Sequence, residues 1–300
     1  MLLAIPALRV LRRAWPGDSL VLAAQPRIGR LLELLAVVHR AVDFDALGLS
    51  ALFEPESGGR RRQWPERCAD DLRRATRVIA WIGAGEPSFV ERLGALVPGS
   101  IVAPSVGAGR PVWEHLVDTL GASSAYREPA IRAAVDLPAA LGNEAREELV
   151  RSGWNARDRL LIVHPGAGGH GKRWPAAGYA AVLEQVGALP GVAIAIHRGP
   201  ADFDAVAALT GALTARAIAL QEPPLPLLAG MLTHATAYLG NDSGVSHLAA
   251  ALGAPSIVLF GAERLIWRPW ADHVEPMVVS TGAEGADAAR VTAELASLLR

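Results

Sequence analysis

Three hundred residues carry 29 Lys and Arg against 30 Asp and Glu, for a net charge of -1, and 51% of the chain is hydrophobic. That is enough material for two α/β domains, and the charge balance excludes a global positive field that would recruit nucleic acid; along the chain no apolar run reaches the ~18 residues that span a bilayer. The single cysteine, Cys68, reads as a passive thiol and excludes an internal disulfide or a thiolate metal cluster, which suits a reducing cytoplasm.

In chain order, Leu2 to Ala14 reads as an amphipathic helix. Its charges, Arg9, Arg12 and Arg13, lie at the C-terminal end, the reverse of a signal peptide's order, and one face leaves peripheral membrane contact open. Strands follow at Ser19 to Ala24 and Val42 to Phe44, around a helix at Ile28 to Leu35, with another strand at Arg77 to Ile82. This alternation predicts a doubly wound parallel sheet. The basic run Gly58-Gly-Arg-Arg-Arg-Gln63 is a solvated turn or a dock for a phosphorylated acceptor. Residues 97–113, rich in Gly, Pro and Ser, read as a long loop, and 129–154 as an interdomain region with a helix near Asn143 to Arg151. The rhythm then resumes: strand 160–164, helix 176–188, strand 192–196, helices 202–213 and 225–232, strand 236–239. A helix from Ala288 to Leu299 ends the chain. The expected domains are 1–150 and 151–285, followed by this helix at 286–300.

Two loops carry the chemistry. The strand ending at Pro165 runs into Gly166-Ala-Gly-Gly-His-Gly-Lys-Arg-Trp-Pro175. Its glycines let backbone approach a ligand closely, although their spacing fits neither a Walker A loop nor a dinucleotide fingerprint. Lys172 is the only lysine, every other basic residue being arginine. It is either a selected point charge for phosphate or a surface survivor of a compositional drift. The second loop, Gly240-Asn-Asp-Ser-Gly244, opens a helix with Ser243 at the N-cap. Leu248, Ala249 and Leu252 form its apolar stripe, Gly253 and Pro255 stop it, and a buried strand follows at Ser256 to Phe260. Free N–H groups at such a helix start, with Asp242, Ser243, Gly244 and His247 around them, make an anion and sugar site if the glycine loop faces it. Asp202 and Asp204 are placed for a ribose or are ordinary first-turn helix acids. His164, His170 and His197 read as structural or solvated, and Trp174 as packing behind its loop.

His164-Pro-Gly-Ala-Gly…Lys172-Arg-Trp-Pro175 and Gly240-Asn-Asp-Ser-Gly…His247-Leu-Ala-Ala-Ala-Leu-Gly253…Leu259-Phe-Gly261 together resemble glycosyltransferase family 9, the ADP-heptose:lipopolysaccharide heptosyltransferases. Weaker similarity covers Ile5-Pro-Ala-Leu-Arg9 to Trp15-Pro-Gly17, Gly48 to Leu52, and Trp267-Arg-Pro269. The resemblance implies an α/β protein of GT-B architecture, with two Rossmann-like doubly wound domains facing across a cleft and a terminal helix packing back toward the first. It implies an inverting, metal-independent transfer of a sugar, heptose, from an ADP-sugar to a lipopolysaccharide-core or related glycan or glycolipid acceptor. It calls for no cofactor and no metal, and for a cytoplasmic monomer, with peripheral contact to the inner membrane left open. Gly166, Ala167, Gly168, Lys172, Asp242, Ser243, Gly244 and His247 would hold donor phosphate and sugar.

Family members begin with a strand and a Gly-Asp loop whose aspartate is the general base. Here the sequence starts at Met1-Leu-Leu-Ala-Ile-Pro-Ala-Leu8, within the helix that follows that loop. The expectation is therefore a first domain without its first strand, through a start assigned too late or a shortened form, and no catalytic residue is assigned. Asp18, at the far end of the helix, cannot substitute. Two other readings stand beside the transferase: a nucleotide-sugar-binding protein lacking the Gly-Asp base, and a GT-B-like sugar-nucleotide epimerase, for which no cleft carboxylates are evident.

Overall fold

The computed structural model describes residues 1–53, 70–280 and 284–300. The basic run at 58–63 and Cys68 lie outside the described residues. The chain divides into two compact units, Met1 with Leu3–Ile131 and Leu2 with Arg132–Arg300. The division comes earlier than the expected 150, because the helix closing the interdomain region belongs to the second unit.

The first unit contains α1 (Ile5–Ala14), β1 (Val21–Ala24), α2 (Pro26–Leu34), β2 (Arg40–Asp43), α3 (Asp70–Arg73), β3 (Ile79–Ala80), α4 (Pro87–Leu96), β4 (Ile101–Val102), α5 (Val112–Asp118) and all but the last residue of α6 (Pro129–Arg132). The α1 arginines are engaged inside the unit: Arg9 donates to Ile131 O at 3.1 Å, Arg12 to Ala36 O, and Arg13 pairs with Glu128. Two findings differ from the sequence reading. Helix α4 appears where none was expected, started by Pro87 and anchored by buried Phe89 and Leu93 one turn apart. The expected long loop at 97–113 contains β4 and the start of α5.

The strands of this unit form two separate parallel pairs, β1 with β2 and β3 with β4. Among the described residues no strand lies between β1 and β3. Apolar packing still joins the halves, since Val78 and Leu49 touch both Leu47–Leu72 and Leu52–Phe89–Leu93.

The second unit runs α7 (Ala139–Arg151), β5 (Arg159–His164), α8 (Ala176–Gly187), β6 (Val192–Arg198), α9 (Phe203–Ala212), β7 (Ala217–Gln221), α10 (Leu225–Thr233), β8 (Ala237–Asn241), α11 (Gly244–Ala251), β9 (Ser256–Phe260), β10 (Val274–Val278) and α12 (Glu284–Leu298). Its six strands are parallel in the order β10-β9-β8-β5-β6-β7. β8 and β9 are buried throughout and β5 nearly so, which is why they read as unbroken apolar runs.

β7 and β10 were not expected from sequence. Both are edge strands, partly exposed, and β10 contains Pro276, which only an edge tolerates. Helix α7 starts earlier than expected, right after Pro138, and lies close against α10, where a Cβ on Gly230 would come within 2.7 Å of Leu141 O. Helix α12 packs on α8, placing Val291, Leu295 and Leu299 in the core of this second unit with Leu183 and Val186.

Candidate functional site

In the second unit the order of strands reverses between β5 and β8: β6 and β7 follow β5 on one side, and β8, β9 and β10 extend the other. A crevice at the carboxyl ends of two strands that part in this way is where open α/β sheets bind ligands. The two loops singled out from sequence begin at this point.

Asn241, the last residue of β8, organises them. Its side chain is buried; Nδ2 donates to Pro165 O at 2.8 Å and Oδ1 accepts from Trp174 N at 3.0 Å. One amide thus ties both ends of the glycine loop to the strand beside it. Trp174 is buried behind the loop as expected, edge-on to Tyr179 at 5.2 Å. Within the loop the glycines have different reasons. A Cβ on Gly166 would run into the Asp202 carboxylate, whereas Cβ atoms on Gly168, Gly169 and Gly171 would meet nothing within 4 Å. Ala167 is buried, and the backbone N–H groups of Gly166, Ala167 and Gly168 make no hydrogen bond with any described residue.

Ser243 caps α11 as expected, accepting from Ser246 N at 3.2 Å in extended backbone geometry. Gly253, at φ +85°, closes the helix with the paired bonds Ala254 N→Ala249 O and Gly253 N→Ala250 O. Ser246 Oγ donates to Asn241 O and lies 2.9 Å from Tyr238 OH, a phenol that burial pushes up from its usual range. The N–H groups of Gly244 and Val245 have no acceptor among the described residues, and the space beside Gly244 Cα is open. These orphan donors sit at the positive end of the helix dipole.

Asp242 stands at the centre. Its side chain is 5% exposed, and Oδ2 is shared by Lys172 Nζ at 3.3 Å and Arg264 Nε at 2.7 Å. Oδ1 faces His247 Nε2 at 3.6 Å, while His247 Nδ1 is buried with no partner among the described residues. Burial alone would raise this carboxyl, but His247, Arg264 and Lys172 outweigh it and hold it at about 2. One buried carboxylate therefore fixes two partly exposed cations, leaving the cluster positive beside a helix N-terminus. That arrangement suits an anion with several oxygens.

The ribose candidates part company. Asp202 turns inward: it accepts from Gly199 N at 3.1 Å, packs under Gly166 and faces His164 Nε2 at 3.9 Å. Asp204 is exposed on the first turn of α9. His164 and His197 are both buried with their Nδ1 atoms 3.0 Å apart, and burial lowers them to about 4 and about 3, so both rings are neutral near pH 7. His170 stays exposed beside Arg173. The sequence reading missed Asn241 and Arg264. Asn241 left a signal, a polar amide closing an apolar strand; Arg264 left none, being one arginine among 28.

The family model of glycosyltransferase family 9 (heptosyltransferase) matches residues 119–295, more than half of the chain. The chain belongs to glycosyltransferase family 9. Within 147 residues it is 32% identical to lipopolysaccharide heptosyltransferase 3 of Escherichia coli, a stretch that covers 46% of this chain and 41% of that relative. The whole chain superposes on E. coli ADP-heptose lipopolysaccharide heptosyltransferase II, with a TM-score of 0.72 at 19% identity over 95% of that chain. It is also similar to E. coli heptosyltransferase WaaC with ADP, at TM-score 0.65 and 16% identity, covering 99% of this chain and 95% of that one. These likenesses give the family-9 chain the GT-B fold. All the loops just described lie inside the matched region.

Proposed function

We propose that the second unit binds an ADP-sugar, ADP-heptose, and that the protein transfers the sugar with inversion to a lipopolysaccharide-core or related glycan acceptor, without a metal. The observation that carries this reading is the Asp242 cluster, with Lys172, Arg264 and His247 gathered on one buried carboxylate at the start of α11. Adenosine diphosphate as the nucleotide moiety is supported by the related WaaC structure, which holds ADP.

In an inverting transfer the acceptor hydroxyl attacks the anomeric carbon as the diphosphate leaves from the opposite face. Negative charge then grows on the leaving phosphate. Lys172 and the N–H groups of Gly244 and Val245 are fixed before the reaction and meet that charge without reorganising, the role a divalent ion plays elsewhere. Asp242, bound to the cations, positions them. The acceptor's proton requires a general base, and none is assigned in the second unit. The enzyme would act as a monomer in the cytoplasm, touching the inner membrane only where a glycolipid acceptor demands it.

A second reading, a nucleotide-sugar-binding protein with impaired transfer, is favoured by the divided sheet of the first unit. Sugar transfer assayed on the 300-residue chain separates the two.

Calorimetry with ADP in the presence of a chelator tests the donor site. Binding is expected, and Lys172→Ala should weaken it by about 1.5–3 kcal/mol, the range for hydrogen bonds to charged groups. Lys172→Arg should restore part of this, since a planar fork does not replace a compact ammonium. Absence of ADP binding, or binding only with added magnesium, would sink the reading.

A further inference from the structure

Arg264 belongs to neither sequence motif. It lies on the short 3-10 helix Ala262–Trp267 that follows β9, on the opposite side of β8 from the glycine loop. Its backbone N donates to Gly261 O at 2.9 Å, and its guanidinium stands over the Trp267 ring, 5.6 Å from the centroid. Nε is bound to Asp242 Oδ2, the same oxygen that holds Lys172. Its two terminal nitrogens make no hydrogen bond with any described residue, and 27% of the side chain is exposed. An arginine held by its Nε alone keeps four N–H donors in a fixed plane.

The order of strands gives a direction. Asp204, exposed on the first turn of α9, follows β6, Lys172 follows β5, the α11 start follows β8, and Arg264 follows β9. From β6 to β9 is three strand spacings, about 14 Å. A nucleotide whose ribose lies toward β6 would therefore run its phosphates across β5 and β8, with Arg264 at the distal end.

We propose that Arg264 binds the distal phosphate of the donor, acting beside Lys172 as a second cation that selects a nucleoside diphosphate over a monophosphate. This rests on the donor site proposed above. The buried carboxylate holds the guanidinium by one nitrogen and leaves the paired terminal donors for two phosphate oxygens, the bidentate geometry that lysine cannot supply. Lys172, closer to the middle of the row, serves both nucleotides.

The test compares ADP and AMP binding to the full chain by calorimetry, for the wild type, Arg264→Ala and Arg264→Lys. The expected result for Arg264→Ala is a loss of at least about tenfold in ADP affinity, as for other charge-assisted hydrogen bonds, with AMP affinity changed less than about threefold. Arg264→Lys should fall between, and it keeps a cation beside the buried Asp242 carboxylate, so it remains informative should the alanine variant fold poorly. Equal losses for both nucleotides accompanied by a lower Tm, or no loss for either, would overturn the proposal and leave Arg264 as the neutralising partner of Asp242. A wild-type protein that binds neither nucleotide would overturn it by removing the donor site itself, a result distinct from selective failure of the variants.

Discussion

Acidification should destabilise this protein well before its carboxylates titrate. His164 and His197 are buried against each other, with folded values of about 4 and about 3 against an ordinary 6.5. Burial is the main cause for both rings; Arg173 further disfavours a charge on His164, and His164 disfavours one on His197. Below 6.5 the unfolded chain takes up a proton at each ring while the folded chain does not. Stability is therefore complete above 6.5 and falls as the pH drops toward 4 and then 3, where the folded rings finally charge. Between pH 7 and 5 the linkage amounts to about 2 kcal/mol per ring and about 4 kcal/mol for the pair, a large share of the 5–15 kcal/mol typical of a domain. Urea unfolding followed by circular dichroism at pH 7, 6 and 5 reads this as a fall in midpoint at constant slope. His197→Asn should be less stable at pH 7 yet lose only about half as much on acidification, because one titrating ring remains. An unfolding free energy that stays flat from pH 7 to 5 would refute the reasoning, since it would mean that the rings are not held neutral in the folded state.

Asn241→Ala removes both ties to the glycine loop and leaves the Trp174 N–H buried without an acceptor; a loss of about 1–3 kcal/mol in unfolding free energy is expected, with faster amide exchange across 166–173. Unchanged exchange in the loop would show that Asn241 does not hold it. Gly166→Ala drives a Cβ into Asp202 and should cost about 1–3 kcal/mol, whereas Gly168→Ala enters open space and should stay within about 0.5 kcal/mol of the wild type in thermal melts. Equal effects at the two positions would contradict the packing described for the loop.

The sequence by itself determined the motifs and the central part of the second unit. β5, β8 and β9 are buried on both faces, so their composition alone marks them, and the capped start and glycine stop of α11 are local backbone chemistry that needs no distant partner. The family resemblance rests on these same residues. Tertiary structure decided everything that depends on what lies opposite. β7 and β10 exist because a neighbouring strand supplies their hydrogen bonds, and their exposed sides and Pro276 left no pattern to read. Asp202 reads equally well as a ribose ligand or a helix acid; only packing shows its carboxylate turned under Gly166 toward His164. Lys172 was legible as a lone lysine in a glycine loop, but its partner was not. Asp242 and Arg264 follow different strands, and a buried charge selects its neighbours by distance in space rather than along the chain.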